Sequence, residues 1–93
     1  MNFNFQLNDL DGQPVRDLQG NEVPQANVVI ANLLMTSIKI SLPALVAWEY
    51  AKQLKETGML DLERSERKEL WDVVNAWDVP VIVKAPILQI LGQ

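Results

Sequence analysis

Asp9 and Asp11 stand two residues apart just before Gly12, a spacing that invites a chemical reading. Two carboxylates beside a glycine suggest a calcium loop. With Gly12 as the sixth loop position, however, the first position falls on Leu7, where an acidic ligand is required. The same pair fails as an acid–base couple, because a turn offers no apolar pocket to drive the two pKa values apart. An Asp-Gly turn is the plain reading. Lys84 lies among apolar neighbours, an environment that can depress an amine pKa and make it a nucleophile. The more ordinary behaviour of such a side chain is to bury its stem and extend its ammonium to water.

The remaining chemistry is closed off by composition. The chain has no histidine and no cysteine, which removes the usual general base, thiolate nucleophile and zinc ligands. Gly12 and Gly20 are isolated and open neither a GxxxxGK[ST] nor a GxGxxG phosphate cradle. The expectation is a protein that is not an enzyme and takes no cofactor and no metal.

Charge narrows the partners. Twelve acidic against eight basic side chains give a net charge of −4, which repels a phosphate backbone, so no nucleic acid is expected. Arg64, Arg67 and Lys68 cluster, but Glu63, Glu66 and Glu69 are interleaved with them, as on a solvated helix face. No membrane is expected either, since the longest apolar run is short of the ~20 residues a bilayer needs and is broken by prolines. The opening residues MNFNFQLND lack a basic stretch followed by an apolar one, so they do not read as a secretory signal. A cytoplasmic location follows.

The elements that position these residues can be read in order. Phe3, Phe5 and Leu7 alternate with polar residues, the pattern of a half-buried strand. With the turn at Asp11-Gly12 and a second strand over 13–18, weakened by Pro14, a β-hairpin over 2–19 is predicted. From Pro24 the period changes to that of a helix, with Ala26, Val29, Ile30, Leu33 and Leu34 on one side, ending near Ser37. Residues 36–41 read as a connector. A second helix, capped by Ser41, carries Ala44, Ala47, Trp48, Ala51 and Leu54 on its inner face and stops at Gly58, where a Schellman ending would pack Met59 on Leu54.

A third helix, capped by Ser65 or Asp61, has Leu70, Val73, Val74 and Trp77 at i, i+3, i+4 and i+7. Glu63–Arg67 and Lys68–Asp72 are four apart on its outer side. The last segment is a helix kinked or broken by Pro86, its stripe running through Val79, Ile82, Val83, Ile87, Ile90 and Leu91. No internal repeat, low-complexity stretch or linker is read. The predicted fold is α+β in one domain over 1–93: an N-terminal β-hairpin followed by three or four short helices over 24–91.

From Val79 to Leu91 only Lys84 and Gln89 interrupt apolar residues and prolines, and Trp71 lies one position off the third helix's stripe. Trp48 and Trp77 read as core and Trp71 as its border. That is more apolar surface than four small elements readily hide, so self-association or a protein partner is expected. Trp71, Lys84, Ile87, Leu88 and Leu91 are the candidate contact residues. Asp61, Glu63, Glu66, Glu69 and Asp72 form a candidate acidic face.

The turn Asp9-x-Asp11-Gly12 is followed by Ala31-Asn32-Leu33-Leu34, then by Trp48, Ala51 and Leu54 ahead of Gly58. Leu60-x-Leu62 before a charged helix and Val83-Lys84-Ala85 before Ile87-Leu88-Gln89-Ile90-Leu91 complete the series. In that order, over nearly the whole chain, the sequence resembles a group of small proteins of uncharacterised function encoded in bacteriophages and prophages. Pro86 departs from the uninterrupted helix expected there. The resemblance implies a viral origin and no catalytic residue, and it carries over no site. The expected function is a virion structural or accessory protein or an assembly component, in tail, neck or capsid, located in the host cytoplasm or in the virion. The alternative is a small acidic inhibitor of a host protein.

Overall fold

The computed structural model describes residues 1–37 and 40–92. Among the described residues four helices follow an irregular N-terminal arm: α1 (Ala26–Thr36), α2 (Ala44–Glu56), α3 (Arg64–Asn75) and α4 (Val81–Leu91). α1 packs on α2 and α3 on α4. Part of the connector read over 36–41 falls on residues 38 and 39, outside the described residues.

The α+β expectation is overturned: among the described residues there is no β-strand or sheet, and the fold is all-α. The hairpin over 2–19 is replaced by three isolated antiparallel pairs, Asn2 with Met59, Asn8 with Pro14 and Arg16 with Glu22. The alternation of Phe3, Phe5 and Leu7 is real in burial, but the backbone groups of Phe3 and Phe5 that would build a ladder are used elsewhere. Phe3 donates its N–H to the Gly58 carbonyl at 2.8 Å, while the Phe3 and Phe5 carbonyls accept from the N–H groups of Asn27 and Ala26, both at 2.9 Å. Those two donors belong to the first turn of α1, which has no side-chain cap, so the arm satisfies N–H groups that would otherwise be orphaned.

The arm also contains a repeat that the sequence reading missed. Asp9-Leu10-Asp11-Gly12 and Asp17-Leu18-Gln19-Gly20 are the same turn, eight residues apart. In the first, the Asp9 carboxylate accepts from the N–H groups of Asp11 and Gln13, both at 2.9 Å. In the second, Asp17 accepts from Gln19 and Asn21 at 2.9 and 3.0 Å. Gly12 and Gly20 supply the left-handed backbone, at φ 81° and 84°. The phase holds in the flanks, where Val15 N–H bonds the Leu7 carbonyl at 3.0 Å and Val23 N–H bonds the Val15 carbonyl at 2.9 Å. A turn every eight residues leaves only residues 13–16 between the two turns, and Pro14 has no N–H to give; neither permits a regular ladder.

The core is built from one stripe per helix. Ile30 and Leu34 of α1, Ala47, Tyr50, Ala51 and Leu54 of α2, Leu70, Val73 and Val74 of α3, and Val83, Ile87 and Leu91 of α4 are buried, with Phe3, Leu7 and Leu60 beside them. The stripe predicted for the third helix holds through Trp77, which is buried although it lies just past the end of α3. α4 runs through Pro86 as one helix. Glu63, not Ser65 or Asp61, occupies the N-cap of α3, and its N–H donates to the Glu66 carboxylate at 2.9 Å. α2 ends at Gly58, φ 73°, but by a single bond from its N–H to the Leu54 carbonyl at 2.9 Å. Met59 instead donates to the Thr57 hydroxyl at 3.1 Å and stays exposed, which is the simpler left-handed cap and not the Schellman ending.

Candidate partner-binding surfaces

The C-terminal segment divides by its helical period. Ile87 and Leu91 lie in the core, Leu88 and Trp71 are half-buried, and Val81 and Ile82 remain exposed. Most of that apolar tail is therefore the inner face of a helix. Lys84 sends its ammonium to the Asn75 carbonyl at 2.8 Å, capping the C-terminal end of α3, a place where a cation also meets the negative end of the helix dipole. This bond accounts for a lysine in so apolar a run.

Of the three tryptophans, Trp71 and Trp77 sit as expected, at the border of the core and within it, and Trp48 does not. Trp77 is buried, but Trp48 is 53 % exposed and Tyr50 takes the core position beside Ala47, Ala51 and Leu54. Its hydroxyl donates to the Glu66 carboxylate of α3 at 3.3 Å. Burial, followed by the Glu66 charge, that hydrogen bond and the Glu69 charge, raises the Tyr50 pKa above its ordinary value. A buried tyrosine hydroxyl needs such a partner, and Glu66 supplies it.

Leu45, Trp48, Lys52 and Lys55 then share the outer side of α2 at i, i+3, i+7 and i+10. Trp48, Ala51 and the stems of Lys52 and Lys55 join Met35 of α1 around an apolar groove of about 250 Å³. Met35 and Leu45 are exposed too, so the groove belongs to a wider apolar face. The signal in the sequence was Leu45: an outward leucine three residues before Trp48 marks a second stripe beside the core stripe.

α3 carries opposite charges on its two flanks. Arg64, Arg67, Lys68 and Trp71, at i, i+3, i+4 and i+7, line an open recess of about 600 Å³ with Leu91 and Gly92 at the end of α4. The Lys68 ammonium lies 5.7 Å from the centre of the Trp71 ring and pairs with Asp72 at 2.8 Å. Glu69 and Asp72 line a smaller recess of about 320 Å³ with Ser41, Leu42 and Pro43 on the other flank. The candidate acidic face is thus divided. Asp61, Glu63 and Glu69 are exposed, Glu66 turns inward to Tyr50, and Asp72 is held by Lys68. The Glu63–Arg67 pair does not form among the described residues.

Among the described residues no group of three or more acidic, histidine or cysteine side chains is arranged to hold a metal ion. No helix among them is long and apolar enough to cross a membrane. Compared with protein-family models, with curated proteins and with solved structures, the chain matches none.

Proposed function

We propose that this chain works by protein contact and not by catalysis, as a structural, accessory or assembly component of a virus particle, made in the host cytoplasm and incorporated into the virion. The observation that carries the contact reading is Trp48, set in an apolar groove between α1 and α2 with Met35 behind it and two lysines at its rim. A half-exposed tryptophan in a concave apolar site is the usual anchor of a protein interface. Lys52 and Lys55 fit it to an apolar segment that carries carboxylates. The viral setting rests on the sequence resemblance alone.

The inhibitor reading is the weaker one, because the acidic row it requires is broken where Glu66 turns to Tyr50 and Asp72 pairs with Lys68. The test is to replace Trp48 with Glu and quantify the chain in purified particles by mass spectrometry. The variant is expected to fold as the wild type does and to be lost from particles. Retention of the variant at wild-type level would overturn the groove, and absence of the wild-type chain from particles would overturn the virion setting.

A further inference from the structure

Two leucines in this fold project wholly into solvent from the tips of the tandem turns, Leu10 at 105 % exposure and Leu18 at 106 %. Neither contributes to the core, and a turn needs no leucine at either place. Leu10 differs from Leu18 in its neighbours: Asp9 and Asp11 flank it, whereas Leu18 has Asp17 and Gln19. The first tip is therefore an apolar knob between two carboxylates. It is also rigid, since the Asp9 carboxylate is tied to two backbone N–H groups and Gly12 closes the turn.

Its complement is present on the same molecule. The recess beside α3 has Trp71 and Leu91 as apolar lining and Arg64, Arg67 and Lys68 as cations. Lys68 is already engaged by Asp72, but the Arg64 and Arg67 side chains enter no ion pair among the described residues. Two unpaired guanidinium groups match two carboxylates, and an apolar floor matches one leucine.

We propose that copies of this chain associate head to tail, the Asp9–Leu10–Asp11 tip of one seating in the Arg64–Arg67–Trp71 recess of the next. Leu10 lies against Trp71 and Leu91, and the two carboxylates meet the two arginines, whose planar donors suit them. A tip already fixed by its own hydrogen bonds loses little freedom on docking. Because the two surfaces differ, every associated pair still presents one open tip and one open recess, so the contact propagates to a ring or a filament. A recess lined by arginines also suits phosphate, but the net charge of −4 opposes the long phosphate backbone of a nucleic acid.

The inference deepens the assembly reading and uses a different face from the Trp48 groove. Analytical ultracentrifugation tests it with two surface variants, Leu10→Lys and Arg67→Glu, each checked for helical content by circular dichroism. The wild type is expected to associate with rising concentration, less so at high salt, and each variant alone to associate at least about tenfold more weakly. Mixed one to one, the variants should recover a dimer and nothing larger, because the intact tip of Arg67→Glu fits the intact recess of Leu10→Lys. A wild type that stays monomeric to millimolar concentration, variants that associate as it does, or a mixture that remains monomeric would each overturn the proposal. A monomeric wild type that still enters particles through Trp48 would sink this assembly and leave the contact reading standing.

Discussion

The buried side-chain amide of Asn27 in α1 donates a hydrogen bond of 3.0 Å to the carbonyl of Leu54 in the last turn of α2. The backbone N–H of the same residue donates to the Phe3 carbonyl at 2.9 Å. One asparagine thus ties the arm, the start of one helix and the end of another. Replacing Asn27 with Ala is expected to lower stability by about 1–2 kcal/mol, the lower part of the range for a lost buried bond, because Leu54 O still accepts from Gly58 N–H. The urea midpoint should fall with an unchanged slope.

Gly58 needs its left-handed backbone, and a Cβ there would also run into the side chain of Asn4. Gly58→Ala should therefore cost about 1–3 kcal/mol for the backbone conformation alone, with the collision added to it. Asn4→Ala removes the bond from Asn4 Nδ2 to the Thr57 carbonyl, at 2.8 Å, and also removes the obstacle. A double-mutant cycle should show favourable coupling: the pair costs less than the sum of the two single changes.

Tyr50 is the chain's one tyrosine, so its titration can be followed by absorbance without overlap from another. Its pKa is raised in the folded state, first by burial and then by Glu66. The folded protein therefore holds the phenolic proton where the unfolded chain has begun to release it. The contribution to stability is fully present below the unfolded value of about 10 and is lost as pH rises through the higher folded value. Urea midpoints measured across that alkaline window should fall more steeply for the wild type than for Tyr50→Phe.

Ile87 and Leu45 separate core from surface. Ile87→Ala should cost about 2–5 kcal/mol in thermal or urea unfolding, while Leu45→Ala should change stability by no more than about 0.5 kcal/mol. Equal effects at the two positions would contradict the burial of one and the exposure of the other.

How far the sequence reaches depends on what each residue answers to. Leu70, Val73 and Val74 follow from the helical period because their partners lie inside, whatever those partners are. Trp48 and Tyr50 both suit a stripe through Ala47, Ala51 and Leu54; the carboxylate of Glu66, sixteen residues on from Tyr50, decides between them. No local pattern contains that information. Phe3, Phe5 and Leu7 have the alternation of a strand, yet periodicity describes side chains and is silent on where the backbone bonds go. Ile87 and Leu91 were legible as apolar and helical, but which side of α4 meets α3 is set by packing. The recess at Arg64, Arg67 and Trp71 was visible as spacing, but the interleaved glutamates hid that the helix sorts the two signs onto separate flanks.

The matched turns also govern how the arm tolerates insertion and deletion. Leu7, Val15 and Val23 occupy the same phase, so removing or duplicating one whole octet returns the next segment to its register, whereas a change of one residue turns inward side chains outward. Such an arm grows or shrinks in quanta, each new copy adding one more projecting tip without redesign of the helices.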